Sequence, residues 1–206
     1  MSTRSPVPPL PSPPAPPQAR RRRQPELLRR NLLEAAAALA LEGGISAVTL
    51  QAVAQRAGVT KGGLFHHFAD KDALIAALFD EVLAAFDQAI AAALADEPPQ
   101  ARGRFTRAYI RATLDPELAA SAPLNAVLLL SAPARQLWSD WLRAALTRHR
   151  ATDNDSQLEI LRLSADGHWL AVLWQVSPDL RQSSEALCAA LLPLTRLPSL
   201  STDKVT

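Results

Sequence analysis

The 206-residue chain has 48% hydrophobic residues, 20% charged residues and a net charge of +2, enough apolar material for one sizeable core or two small ones. Alanine and leucine dominate after residue 25, and runs of β-branched and aromatic residues are absent, so we expect an all-α fold without a sheet. The single cysteine, Cys188, excludes an internal disulfide and fits a reducing cytoplasm. We expect neither a membrane span nor a secretory signal.

The charge is distributed unevenly along the chain. Residues 1–71 sum to +6, whereas the remaining residues sum to −4. A basic N-terminal part suits contact with a polyanion such as DNA.

Residues 1–24 are predicted to form a disordered, Pro/Arg-rich arm. Together with Pro25 they hold nine of the 17 prolines, and the segment contains four consecutive arginines, Arg20 to Arg23. Such a composition cannot bury a core of its own. We expect the arginines to give non-specific electrostatic help in binding DNA phosphates.

Three helices are predicted within residues 25–70. Pro25 suits a first helical turn, and leucines and alanines then recur at three and four residue steps until Gly43 and Gly44 end the helix. Two shorter helices follow, at about 50–57 and 61–68.

The two short helices have clear start and turn signals. Thr49 and Thr60 are suited to cap them, and Gly58 can adopt a positive φ in the turn between them. A pair of short helices joined by a tight turn is typical of a helix-turn-helix motif.

The rest of the chain is predicted to contain six more helices, for about nine in total. Asp70 can cap the first of them, and Pro123 is expected to break or kink the third. The predicted ranges are about 71–94, 100–114, 116–130, 133–149, 156–176 and 183–197, with a flexible tail at 201–206.

The second helix of the motif leaves an unusual set of residues outside its core. Gly62 and Gly63 stand together near its start, where each costs about 1 kcal/mol relative to alanine. Close approach of the backbone to DNA is one reason to tolerate them. Lys61 adds a positive charge beside the free N–H groups of the helix start, and both favour a phosphate.

At this point the sequence closely resembles the TetR family of transcriptional repressors. The resemblance covers residues 26 to about 83 and is carried by the stretch from Val48 to Phe68 and by Asp70-Lys71-Asp72-Ala73-Leu74. It implies a three-helix DNA-binding domain at 25–70, a helical effector-binding and dimerisation domain at 71–200, and a homodimer formed largely by the last two helices. The implied DNA-facing residues are Thr49, Thr60, Lys61, Gly62, Gly63, Phe65, His66, His67 and Lys71.

Phe65 departs from the family pattern, in which a tyrosine is usual and its hydroxyl commonly reaches a phosphate. Phenylalanine can still pack against the sugar-phosphate backbone, but it donates no hydrogen bond. The loss should weaken DNA binding by roughly 1 kcal/mol.

A second, shorter resemblance lies in the segment from Leu161 to Ala171. It is similar to the penultimate helix of a TetR subgroup that has an Ala-Asp-Gly-Leu-Trp segment. In that subgroup the helix pairs with the same helix of the second subunit of the dimer. The resemblance implies that Gly167 permits close helix packing, and that Trp169 and Trp174 fill the interface or an adjacent pocket.

The aromatic residues of the C-terminal part are candidates to line an apolar effector cavity, although each could equally belong to an ordinary core. No charged residue is clearly buried by pattern, so the charge of the effector stays open, and Arg104, Arg107 and Arg111 are interpreted as a solvated stripe. The candidate lining residues are Phe86, Phe105, Tyr109, Trp138, Trp141, Trp169 and Trp174.

No metal, cofactor or catalytic site is expected. His66 and His67 point about 100° apart on a helix and cannot easily chelate one ion. Asp153 and Asp155 lie in a polar turn, where helix capping explains them.

The favoured function is a cytoplasmic repressor that binds a roughly palindromic DNA operator as a homodimer and is released by a small, largely apolar effector. One rival is a helical enzyme that uses His149, His168 or Asp166 as a base, although no nucleophile with a base at recognisable spacing appears. A second alternative keeps the fold but makes the protein an activator or a ligand-independent architectural binder.

Overall fold

The computed structural model of the protein describes residues 17–119, 121–173 and 183–198. These ranges contain eleven α-helices and no strand, which confirms the all-α prediction. None of the described helices is long and apolar enough to cross a membrane. The helices are α1 (Pro17–Ala47), α2 (Leu50–Arg56), α3 (Lys61–Phe65), α4 (Lys71–Ala95), α5 (Arg104–Thr113), α6 (Pro116–Ala119), α7 (Ala122–Leu129), α8 (Ala132–Arg148), α9 (Arg150–Asp153), α10 (Ser156–Leu173) and α11 (Ser184–Leu194).

Helix α1 begins at Pro17, earlier than the predicted start at Pro25, so the last residues of the predicted arm are helical. The prediction was based on the prolines of the arm, but residues 18–24 are glutamine, alanine and arginine, which are good helix formers. The predicted interruption at Gly43 and Gly44 is found, since Gly44 has a φ of 70° and a ψ of −175°. Residues 1–16 of the arm lie outside the described residues.

The predicted helix at 116–130 is divided into α6 and α7, as the position of Pro123 indicates. This proline occupies the first turn of α7, where a missing N–H costs nothing. The short helix α9 was not predicted, because a single turn of helix has too few residues to show a period.

Helix α4 connects the N-terminal helices to the rest of the protein. Leu74 and Phe79 pack into a core with Leu32 of α1 and Leu64 of α3, and this core also includes Leu128 of α7. The N-terminal helices α1 to α3 therefore share one hydrophobic core with α7 as well as with α4.

The interpretation of Arg104, Arg107 and Arg111 as a solvated stripe is wrong for Arg107, which is 2% exposed. Its guanidinium donates to the Glu97 carboxylate at 2.6 Å and to Thr195 Oγ1 at 3.0 Å, which ties α5 to the end of α11. Arg111 pairs with the same carboxylate at 3.0 Å. Hydrogen bonds from Arg107 are the main reason that the pKa of Glu97 is lowered to about 2.

Asp153 is a helix cap, as predicted, but it caps a distant helix. Its carboxylate accepts hydrogen bonds from the backbone N–H groups of Phe105 and Thr106 at the start of α5, at 3.2 and 2.8 Å. Gly103 precedes α5 with a φ of 71° and has no side chain to cap it. The buried aspartate therefore supplies the acceptor that the start of α5 lacks.

Candidate nucleic-acid interface and ligand cavity

Helices α2 and α3 form the predicted helix-turn-helix, with both caps in place. Thr49 Oγ1 accepts from the N–H of Ala52 and Thr60 Oγ1 from the N–H of Gly63, each at 3.1 Å. Gly58 has the positive φ expected of the turn, 68°. Because each threonine oxygen accepts from the helix, its hydroxyl hydrogen stays available to donate to a phosphate.

The predicted DNA-facing residues lie on α3 and at the starts of α2 and α4. Gly63, His67 and Lys71 are half-buried, and the other predicted residues are exposed. Phe65 is 44% exposed, and Lys61 Nζ lies 5.7 Å from the centroid of its ring. A large apolar side chain and a cation are thus presented together at the surface.

Lys71 has an additional structural role. Its ammonium donates to the carbonyl oxygen of Ile45 at 2.6 Å, which joins the start of α4 to the end of α1. Asp70 caps α4 beside it by accepting from the N–H of Ala73 at 2.7 Å. A lysine ammonium has three N–H donors, so a bond to Ile45 leaves donors for a phosphate.

Packing within the protein does not explain the two glycines of α3. A Cβ at Gly62 would meet no atom within 4 Å, and one at Gly63 would lie in ordinary contact with Thr60 Oγ1 at 3.4 Å. Neither residue has a positive φ. Neither packing nor backbone conformation within the described residues therefore requires glycine at position 62.

The C-terminal part contains a cavity of about 270 Å³ between α4, α5, α6, α7, α8 and α10. Three of the predicted aromatic residues, Phe86, Trp138 and Trp169, line it. The complete lining is Phe79, Val82, Leu83, Phe86, Ala112, Thr113, Leu118, Asn125, Leu129, Trp138, Asp166, Trp169 and Leu170.

Phe105, Tyr109 and Trp141 are not among the lining residues. Phe105 is buried and stacks on His149, with ring centroids 4.9 Å apart. Trp141 stacks on Trp138. Helical periodicity shows which side chains face inward, but it does not distinguish a core contact from a cavity wall.

Tyr109 and Trp174 were also predicted to line the cavity. Tyr109 is buried, and its hydroxyl donates a hydrogen bond to Oδ1 of the lining residue Asp166 at 2.8 Å. Trp174 lies outside the described residues.

Sequence reasoning missed the polar side chains of the cavity, which are Asp166, Thr113 and Asn125. Burial raises the pKa of Asp166, although a hydrogen bond from Tyr109 and the charge of Arg162 lower it. The sequence did contain one signal of this polar site, because Asp166 interrupts the apolar helix pattern around Trp169. The expectation that no charged residue is buried fails at Arg107, Asp153 and Arg162, whereas Asp166 is half-buried.

The two isolated histidines make side-chain contacts between helices. His168 is buried, and its Nε2 lies 3.1 Å from Ser184 Oγ, which connects α10 to α11. Burial lowers the pKa of His149. Within the described part of the chain, no group of three or more acidic, histidine or cysteine side chains could hold a metal ion.

Helices α10 and α11 each present an apolar stripe to solvent. Ile160 and Leu163 are 58% and 59% exposed on α10, and a Cβ at Gly167 on the same face would meet nothing within 4 Å. On α11, Leu194 is 39% exposed. The remaining exposed positions of the α11 stripe are Ala186, Ala189, Ala190 and Pro193, continued by Leu197 beyond the helix.

Two family models match the chain. The model described as bacterial regulatory proteins of the tetR family matches residues 32–78, and the model described as a tetracyclin repressor-like C-terminal domain matches residues 103–196. The first covers α2, α3 and the start of α4, and the second covers most of the cavity helices.

Curated relatives and solved structures agree with these matches. The regulator BetI of Burkholderia thailandensis is 38% identical over 101 residues, which are 48% of this chain and 50% of that protein. The repressor KstR2 of Rhodococcus jostii is 26% identical over 71% of this chain and 78% of its own length. The multidrug binding protein EbrR, in complex with malachite green, has the same fold, with a TM-score of 0.62 and 24% identity over 81% of this chain and 97% of its own.

The chain therefore spans only half the length of the BetI relative that it matches, whereas the two family models together reach from α1 to the end of α11. The first model covers the helix-turn-helix, and the second covers the helices from α5 to α11. The protein belongs to the TetR family of bacterial regulatory proteins.

Proposed function

We propose that the protein is a cytoplasmic, homodimeric transcriptional repressor that releases its DNA operator when a small organic effector binds. The observation that carries this proposal is the exposed face of α3, where Lys61 and an unexplained Gly62 adjoin the capping hydroxyl of Thr60. A glycine with no packing role is readily explained by close approach to a DNA backbone. The KstR2 relative is itself a repressor.

Helix α3 would enter a major groove, with its start directed towards the phosphates. The exposed side chains of Phe65 and His66 follow Lys61 along this short helix. In a homodimer, two such helices bind half-sites about one helical turn apart or a multiple of it, so the operator should be roughly palindromic.

The apolar stripes on α10 and α11 supply the proposed dimer face. Leu163 and Leu194 would be buried by the same stripes of a second copy, and the bare backbone at Gly167 allows two α10 helices to approach closely. Such a self-complementary surface is what a two-fold dimer requires.

We expect the cavity to couple effector binding to DNA binding, because two helices that line it also contact the helix-turn-helix core. Phe79 of α4 lines the cavity and also belongs to the core shared with the helix-turn-helix, and Leu129 of α7 lines it and packs against the same core. An effector that favours one position of α4 and α7 would change the separation of the two DNA-binding domains. DNA affinity then falls by population shift.

EbrR, which has the same fold, binds malachite green. The cavity here has both aromatic walls, at Phe86, Trp138 and Trp169, and polar groups that could orient a ligand. Effector binding in this position is part of the proposal.

Selection from genomic DNA tests the DNA-binding part directly. Purified protein would be mixed with sheared genomic DNA, and the retained fragments would be sequenced. We expect enrichment of one roughly palindromic sequence, which a Lys61→Ala, His67→Ala double variant fails to enrich. Retention without any enriched sequence would contradict the proposal, because phosphate contacts alone do not discriminate between fragments.

A further inference from the structure

Three of the residues that line the ligand cavity carry hydrogen-bond acceptors. They are Asp166 of α10, Thr113 of α5 and Asn125 of α7. Thr113 Oγ1 and Asn125 Oδ1 are buried and form no hydrogen bond within 3.5 Å among the described residues, although Thr113 lies beside the Tyr109 hydroxyl. Because buried polar atoms in folded proteins almost always have a partner, these two oxygens mark a place where a bound molecule would complete the hydrogen bonds.

Asp166 adds a negative charge to the cavity lining that its neighbours do not fully compensate. Tyr109 donates one hydrogen bond to Oδ1 at 2.8 Å. Arg162 is the nearby cation, but its guanidinium donates to Thr106 Oγ1, and no ion pair within 4.0 Å joins it to Asp166 among the described residues. Burial accordingly raises the pKa of Asp166 in spite of both groups. A cation in the cavity would relieve this cost.

The remainder of the cavity is suited to an apolar body that carries such a cation. Phe86, Trp138 and Trp169 line it, and aromatic faces attract cations as well as apolar groups. At about 270 Å³ the cavity is slightly smaller than most ligand pockets, so the ligand should be small.

We propose that the effector is a small organic amine in its protonated form, with its apolar body against the aromatic side chains and its ammonium N–H groups hydrogen-bonded to Asp166, Asn125 and Thr113. This inference rests on the proposed function, because it assumes that the cavity is the effector site. It assigns the charge of the effector, which the fold and the aromatic walls leave open.

Three compounds with the same tail and different head groups test the charge directly. Binding of octylammonium, 1-octanol and octanoate to the purified protein would be measured by isothermal titration calorimetry. A charge-assisted hydrogen bond should make octylammonium bind about tenfold or more tightly than 1-octanol, and octanoate should bind most weakly. Equal affinities, tighter binding of octanoate, or no binding of octylammonium would overturn the proposal.

Asp166→Asn provides the matched variant, since the amide oxygen can still accept from Tyr109 while the charge is removed. It should abolish most of the preference for octylammonium over 1-octanol. Asp140→Asn removes a charge from an exposed site on α8 and should leave that preference unchanged. A preference that survives in Asp166→Asn would place the cation elsewhere and overturn the proposal.

A separate measurement distinguishes this inference from the proposed function. Operator affinity would be measured by fluorescence anisotropy with and without octylammonium. Tight, Asp166-dependent binding of octylammonium that leaves operator affinity unchanged would contradict the release mechanism and support the charge of the ligand. Release of the operator by octanoate would support the release mechanism and contradict the proposed charge of the ligand.

Discussion

A substitution at Gly62 should affect the stability of α3 and its binding to DNA in opposite directions. In the free protein a Cβ at this position meets nothing within 4 Å, so Gly62→Ala should raise the free energy of unfolding, by up to about 1 kcal/mol, because alanine is the better helix former. The same methyl group should lower operator affinity if the backbone approaches DNA closely. Urea unfolding and operator anisotropy measure the two effects. A variant that is more stable and binds DNA as well as the wild type would show that the glycine has no role at the interface.

Phe65 is the residue at which this chain departs from the usual family pattern, and its ring is 44% exposed. Phe65→Tyr would add a hydroxyl at the surface that α3 presents to DNA. One additional hydrogen bond to a phosphate should improve operator affinity by about 1 kcal/mol, which is roughly fivefold. Operator anisotropy at fixed salt checks this. Unchanged affinity would indicate that position 65 does not face a phosphate.

Among single residues, the sequence predicted those whose role is local. The caps Thr49, Thr60 and Asp70 depend on the next three residues alone, and all three accept the expected backbone hydrogen bond. Asp166 and Asn125 could not be assigned to a cavity, since they lie 41 positions apart and meet only in the folded chain.

At the level of helices, apolar periodicity predicted the long elements but not the charged contacts between them. Arg107 occupies a position that repeats at helical spacing with other arginines, which is the pattern of a solvated face. It is buried because Glu97, in the segment that joins α4 to α5, and Thr195 after α11 supply its partners. Partners so distant in the chain leave no periodic trace in the sequence.

The pair of Glu97 and Arg107 should be essential to the packing of α5. Glu97→Gln leaves a buried guanidinium without its counter-charge, which should lower the free energy of unfolding at pH 7 by about 3–5 kcal/mol. Urea unfolding measures the change. Glu81→Gln, which removes the partner of Arg29 in an exposed ion pair, should cost no more than about 1 kcal/mol.

The same pair predicts how stability depends on pH. The pKa of Glu97 is lowered from 4.5 to about 2, so its contribution to stability is complete above pH 4.5 and is lost as the pH falls towards 2. The difference between wild type and Glu97→Gln should therefore shrink over this range, by about 3 kcal/mol. A difference that stays constant from pH 7 to pH 2 would contradict the ion pair.

For the whole molecule, the exposed stripes on α10 and α11 predict a dimer. Leu163→Glu combined with Leu194→Glu places charges on both stripes and should yield a monomer in sedimentation velocity. A monomer contacts one half-site, so operator affinity should fall at least about a hundredfold. Leu130→Glu alters a side chain that is 70% exposed elsewhere and should leave the dimer intact. A dimeric double variant would show that another surface joins the subunits.

Sequence-selective DNA binding is the central claim, and the DNA upstream of the protein's own gene offers the most direct test. Fluorescence anisotropy at two salt concentrations would compare the wild type with the Lys61→Ala, His67→Ala double variant, using scrambled DNA of equal length as the reference. We expect the wild type to prefer the upstream DNA at both concentrations and the double variant to lose that preference. Equal binding of both DNAs by the wild type, with the same loss on adding salt as the double variant, would contradict the assignment of α3 as a recognition helix.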